Sequence, residues 1–283
     1  MVKRRVLLLA ALAMLAFAGN SLLCRMALRN ASMDAASFTT VRLVSGALVL
    51  ALIVRVRSGA FSRSGDWPSA LALFVYAAGF SFAYVQLSAA TGALLLFGAV
   101  QLTMVGSGLW RGERLVPLQW LGLAGACGGL LLMLLPGLAA PPLRAALLMV
   151  CAGVAWGAYS LFGRGRGDAT AVTAGNFWRA ALLALSLSGL TFGSAHAEPY
   201  GLVLAVASGA LASGLGYSIW YTAMRGLSPA TAASIQLTVP ALAALGAVAF
   251  LGEALSPRLT LASLVILGGV ALVIWAKPRG AAK

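Results

Sequence analysis

Leu87-Ser88-Ala89-Ala90-Thr91-Gly92-Ala93 returns 140 positions later as Leu227-Ser228-Pro229-Ala230-Thr231-Ala232-Ala233. The register then holds without a gap: Gly112-Glu113 falls on Gly252-Glu253, Leu115 on Leu255, Pro117 on Pro257 and Gly128-Gly129 on Gly268-Gly269. About a third of the positions match over more than 40 residues. Biased composition inflates matches of Ala, Leu and Gly, but it does not produce coincident Glu, Pro and Thr. Earlier segments agree more weakly, Ala18-Gly19-Asn20-Ser21 against Trp156-Gly157-Ala158-Tyr159, and Arg42 against Arg179 with a one-residue shift. The chain reads as a duplication, with halves at 1–138 and 139–283.

What is duplicated follows from composition. Of 283 residues, 61% are hydrophobic and 9% charged, and the mean hydropathy is +0.96, far from a soluble domain. Apolar runs recur at about 20 residues, the length a helix needs to cross hydrocarbon. Spans are expected near 6–28, 35–56, 67–88, 91–110, 116–135, 143–163, 171–193, 199–224, 229–250 and 258–276. Ten spans in two halves give five each, and an odd number forces the second half to start from the opposite side of the membrane. The expected fold is all-α, two inverted five-helix repeats.

The net charge of +14 invites a nucleic-acid reading, which the distribution of the charge opposes. With the N-terminus cytoplasmic, the inside segments hold Lys3, Arg4, Arg5, Arg55, Arg57, Arg63, Arg111, Arg114, Arg164, Arg166, Arg225, Lys277, Arg279 and Lys283. The outside segments hold Arg25, Arg29, Arg144 and Arg258. Fourteen against four is a positive-inside pattern. It places both termini in the cytoplasm and explains the basic charge as topology, with the lipid bilayer as partner and no nucleic acid. The first apolar run continues through Met26 without a clear cleavage site, so it is read as a span rather than a signal peptide. Cys24, Cys127 and Cys151 lie in apolar runs without metal-site spacing and are read as small core residues.

The paired Ala90-Thr91 and Ala230-Thr231 segments, the paired Gly112-Glu113 and Gly252-Glu253, and the proline after each resemble the ten-helix members of the drug/metabolite transporter superfamily, whose repeated unit is the EamA domain. The resemblance covers essentially the whole chain. The aromatic-rich third and eighth spans look most like bacterial aromatic and neutral amino-acid exporters. The resemblance implies ten helices around a central cavity, an inner-membrane location, and export of amino acids or related metabolites. A monomer is compatible with it, and it brings no cofactor.

Several residues could line such a cavity. Tyr76, Phe80 and Tyr84 stand four apart on the third span and form one aromatic face. Tyr217, Trp220, Tyr221 and Met224 form a comparable stripe on the eighth, and Trp156 and Tyr159 stand three apart on the sixth. The repeat superposes Phe80 on Trp220, so the stripes are expected to face each other across the pseudo-twofold axis. The competing reading is an interfacial aromatic belt, which suits Trp67, Trp120 and Trp275. Asn20, Gln101 and Gln236 lie deep in apolar spans, with Asn176 and Gln86 nearer the ends. An amide can serve both charges of a zwitterion, or simply bond a neighbouring helix. Pro240 frees a carbonyl in mid-span, for a hinge or for a structural bend.

The six acidic residues, Asp34, Asp66, Glu113, Asp168, Glu198 and Glu253, all fall in loops or at span ends. Coupling through an embedded carboxylate is disfavoured, and facilitated export is the simpler expectation. Arg42 and Arg179 lie inside spans and need partners. Reciprocal Arg42–Glu253 and Arg179–Glu113 gate latches are one arrangement, and simple capping of helix N-termini by each Glu is the other. The lone His196 sits in a loop, and no nucleophile–base pair or metal cluster falls within a span, which argues against an intramembrane enzyme. A channel would need a filter or charged ring; two inverted halves favour alternating access by rocking one half against the other. Drugs, nucleosides and quaternary amines are alternative cargoes for an aromatic cavity.

Overall fold

The structure, a computed structural model, describes residues 4–58, 64–137, 139–163, 168–227 and 229–276. Lys3, Arg63, Arg164, Arg166, Lys277, Arg279 and Lys283 of the charge count lie outside the described residues. Ten spans follow one another as expected: α1 (Arg4–Arg29), α2 (Ala35–Ser58), α3 (Trp67–Tyr84), α4 (Ala89–Trp110), α5 (Pro117–Leu134), α6 (Leu143–Phe162), α7 (Ala169–Leu190), α8 (Pro199–Met224), α9 in two pieces (Pro229–Gln236 and Thr238–Leu251) and α10 (Pro257–Trp275). Nine of them, among the described residues, are long and apolar enough to cross a membrane unaided. The exception is α7, which carries buried Thr170, Thr173 and Asn176 together with Arg179. It crosses packed against α2 and α3.

Helix ends are set by local chemistry. Asp34, Asp66, Ser88, Asp168 and Ser256 each accept backbone N–H groups of the following first turn, satisfying donors that lipid would leave bare. Gly112 and Gly252, the matched glycines of the Gly-Glu pairs, end α4 and α9 with φ of 86° and 63°, a left-handed backbone that suits glycine. Two spans are irregular. α9 breaks at Leu237, where the missing N–H of Pro240 leaves the Gln236 carbonyl without its helical donor. In α8 the stretch Ser208–Leu215 winds as a π-helix, a form that recurs at functional sites.

The packing follows the pseudo-twofold, but across the repeats rather than within them. The pairs α5·α10, α2·α7 and α4·α9 each join a helix to its own counterpart. α3·α6 mirrors α8·α1, and α4·α6 mirrors α9·α1. The two halves are therefore interleaved, each repeat packing more against the other than within itself. The groups that pack as units are α1 with α8 and α9, and α6 with α3 and α4. The glycines of α5 explain its pairing: a Cβ on Gly122 or Gly129 would strike α10 at Gly269 or Ile266. Cys24 is buried, whereas Cys127 and Cys151 are exposed on the outer surface, so the core assignment holds for the first alone. Trp67, Trp120 and Trp275 are exposed, as an interfacial belt requires.

Candidate functional site

Consecutive spans alternate in direction, so the chain has a terminal face, where α1 begins and α10 ends, and a distal face. A cavity of about 700 Å³ runs from mid-span to the terminal face. Its floor is Trp156 and Tyr217; its walls include Tyr159, Asn176, Trp220, Tyr221 and Gln236; its rim includes Gly163, Arg225 and Leu227. Each wall residue is placed by a regular feature. Trp156 and Tyr159 share a face of α6, Tyr217, Trp220 and Tyr221 follow the π-helical stretch of α8, and Gln236 ends the first piece of α9. Trp156 stacks on Tyr159 with centroids 5.3 Å apart and meets Tyr217 at 5.0 Å. Asn176 accepts from the Asp66 backbone N–H at 2.9 Å, which ties the α2–α3 loop to the cavity wall.

Above that floor lies a second, inner void of about 20 Å³, room for roughly one water-sized group. Asn20, Tyr76, Phe80 and Ser213 line it, and Trp156 and Tyr217 close it from below. Asn20 Oδ1 accepts from Ser208 Oγ at 2.6 Å, holding α1 to the π-helical stretch. Aromatic rings continue through the layer: Tyr84–Phe80 at 4.6 Å, Phe80–Tyr76 at 5.5 Å and Tyr76–Trp156 at 4.8 Å. The α3 and α8 stripes thus meet through Trp156. Within the aromatic set, Trp156, Tyr159, Tyr217 and Trp220 reach the large cavity, while Tyr76 and Phe80 reach only the inner void. Tyr84 reaches neither; its ring packs on Gly92 and its hydroxyl donates to the Ala89 carbonyl at 3.2 Å, sealing α3 against α4. Gln101 is buried, lines neither space, and its Nε2 has no hydrogen-bond partner among the described residues.

The distal face is closed by charge. Arg25 of α1 bonds Glu253, at the end of α9, at 3.1 Å. Arg25 Nη1 also donates to the Tyr84 and Val85 carbonyls at 3.0 and 3.1 Å, and the Ala89 N–H donates to Glu253 Oε2 at 2.8 Å. The seam between the α1–α8–α9 group and the α3–α4–α6 group is bridged by these bonds. Beside it, the α1–α2 and α7–α8 loops pair through Met33 and Ala197, with Asp34 accepting from the His196 N–H at 3.0 Å. Burial works against the Asp34 carboxylate, but the hydrogen bonds from Ser37, His196 and Ala36 outweigh it and hold its pKa below the ordinary value.

Neither expected Arg–Glu latch forms. Arg42 points into the core, to Tyr76 and Ser213, and Glu253 takes Arg25 instead, because α1 and not α2 lies against the end of α9. Arg179 donates to the Ser64 and Gly175 carbonyls, while Glu113 is exposed beside Gly108. Capping holds for Glu253, though the helix it caps is α4 of the other repeat. At the repeat-related position Pro229 replaces Ala89 and has no N–H to offer Glu113. Arg25 and Ser213 were missed as site residues. Arg25 stands one helical turn beyond Ser21, which also lines the inner void, so the shared face was readable, but its partner at the end of α9 was not.

The fold matches a solved structure, titled only as the crystal structure of a protein, with a TM-score of 0.68 at 22% identity over 97% of this chain and 98% of that one. A relative from Pseudomonas aeruginosa, described as an uncharacterized protein, is 57% identical over 272 residues, 96% of this chain and 95% of its own. One family model, that of the EamA-like transporter family, matches twice, at residues 4–135 and 143–275. With two inverted repeats around an open cavity and both of them matched, the chain belongs to the EamA-like transporter family.

Proposed function

We propose that the protein exports amino acids, aromatic and other neutral ones, across the bacterial inner membrane by alternating access, with both termini cytoplasmic. The observation that carries this reading is the cavity: about 700 Å³, walled by Trp156, Tyr159, Tyr217 and Trp220 with the amides of Asn176 and Gln236 among them. That is the makeup of a small-solute site, mostly apolar with a few convergent polar groups. The charge pattern supports a cytoplasmic terminal face, and on that reading this conformation is open to the cytoplasm and latched outside by Arg25 and Glu253. An exporter loads from that side.

The substitution of Pro229 for Ala89 supports the same direction. The inner seam lacks the bond that Ala89 gives the outer one, which favours the cytoplasm-open state at rest. Pro240 is the hinge of this scheme, since the break at Leu237 lets the first piece of α9, which bears Gln236, swing separately. The position of all six carboxylates at loops or span ends supports facilitated transport down the solute gradient over coupling through an embedded acid.

The test is binding to purified protein of radiolabelled phenylalanine, with leucine, a nucleoside and a quaternary amine as competitors. Competition by neutral amino acids, weakened about tenfold in Trp156→Ala, is the expected result. Absence of saturable phenylalanine binding, with saturable binding of the labelled nucleoside or amine measured in the same way, would assign the cavity to those cargoes instead.

A further inference from the structure

Arg42 is 1% exposed in the middle of the bundle. Its Nη2 donates to Tyr76 Oη at 2.8 Å and its Nε to Ser213 Oγ at 3.3 Å. Both partners line the inner void. Its guanidinium carbon lies 5.1 Å from the Tyr76 ring centroid and 4.9 Å from that of Phe80. Nη1 is buried with no hydrogen-bond partner among the described residues.

A guanidinium stays charged in a protein, and a buried cation is strongly disfavoured without an anion. None of the six acidic residues supplies one. Asp34, Asp66 and Asp168 cap helices, Glu113 and Glu198 are exposed, and Glu253 is paired with Arg25. Among the described residues, two hydroxyls and two ring faces lie directly against the guanidinium. Tyr76 Oη accepts from Arg42, so its own proton remains available to a second acceptor. Tyr76 borders the inner void and Arg42 stands directly behind Tyr76 and Ser213, so the void, with room for one oxygen-sized group and not for a ring, lies within one hydroxyl of the guanidinium.

We propose that Arg42 is the anchor for the carboxylate of the transported solute. When Trp156 and Tyr217 part, the carboxylate enters the inner void and accepts from Arg42 Nη1 and the Tyr76 hydroxyl. The apolar body stays among the rings below. The proposal rests on the export reading and adds to it the charge of the cargo: an organic acid or a zwitterion, and not a cation. It also gives α8 its role, because the π-helical stretch both presents Ser213 to Arg42 and precedes Tyr217. Close approach there is absolute, since a Cβ on Gly209 would collide with the Arg42 carbonyl.

The experiment is thermal unfolding of the purified protein titrated with phenylacetate, with its uncharged amide phenylacetamide, and with chloride, for the parent, Arg42→Lys and Arg42→Gln. Phenylacetate should raise the midpoint of the parent by a few degrees and phenylacetamide should not. Arg42→Gln should need at least tenfold more phenylacetate for the same shift, and Arg42→Lys should fall between. An equal shift from phenylacetamide, or full retention in folded Arg42→Gln, overturns the assignment. A matching shift from chloride at the same concentration also overturns it, by making the anion inorganic. Arg42-dependent binding of phenylacetate in a protein that binds no amino acid would defeat the amino-acid reading and leave the anchor standing.

Discussion

Removing Glu253 should release the distal face. Three hydrogen bonds involving a charged group cross the seam: two from Arg25 Nη1 to the Tyr84 and Val85 carbonyls, and one from the Ala89 N–H to Glu253. Glu253→Ala deletes the last and strips Arg25 of its counter-ion. A hydrogen bond to a charged group contributes roughly 1.5–3 kcal/mol. The Glu253 side chain keeps 12% of its exposure, so water screens it a little and the lower half of that range applies. About 1.5–2 kcal/mol corresponds to a roughly 10- to 30-fold rise in the distal-open population. Cys24, next to Arg25 and fully buried, is a native reporter once the exposed Cys127 and Cys151 are changed to serine. Labelling by a membrane-impermeant maleimide from the distal side tracks the open population when opening is fast. It should quicken about 10- to 30-fold in Glu253→Ala, and less in Glu253→Gln, whose amide oxygen can still accept from Ala89. An unchanged rate, or the same rise in Glu113→Ala, would refute the latch.

Three further outcomes follow from the same geometry. Pro240→Ala restores the N–H that the Gln236 carbonyl lacks; it should slow exchange severalfold with little change in phenylalanine affinity, read from initial rates against concentration. Asp34 has a lowered pKa, so its stabilising contribution is present above the ordinary carboxylate value near 4 and is lost as pH falls through the still lower folded value. Unfolding midpoints measured from pH 6 to 3 should therefore fall at the acid end, and Asp34→Asn should flatten that limb while removing about 1 kcal/mol of cap and loop bonding at neutral pH. Gly269→Val places a side chain against the Gly122 carbonyl and should destabilise the α5·α10 pair by about 1–3 kcal/mol or more, seen as a lower midpoint without a change in ligand preference.

The duplication, the ten spans and their alternation were legible because each depends on local quantities: span length, the arginine distribution and a gapless register from Leu87 to Gly129. The cavity wall at Trp156, Tyr159, Tyr217 and Trp220 was legible for a similar reason, as helical spacing fixes which residues share a face. Interleaving of the repeats was not. Sequence order says nothing about whether α6 lies against α5 or against α3, so the Arg42–Glu253 latch went wrong. The π-helical stretch of α8 was hidden in an ordinary run of small residues. It forms where Gly209 presses on α2, a tertiary contact with no local signature. Tyr84 shares the stripe of Tyr76 and Phe80, yet it stands at the end of α3, where the α4 turn covers it. The inner charge was visible as Arg42, but its surroundings of hydroxyls and rings emerged only when α2, α3 and α8 came together.

The central claim, a carrier that exposes one cavity to each side in turn, is tested most directly by counterflow. Proteoliposomes loaded with excess unlabelled phenylalanine are diluted into a trace of labelled phenylalanine, and the label inside is followed with time. The account predicts a transient accumulation above equilibrium, abolished without internal phenylalanine and weakened in Trp156→Ala. Monotonic equilibration without overshoot, in protein shown to be folded and inserted, would mark a channel and contradict it.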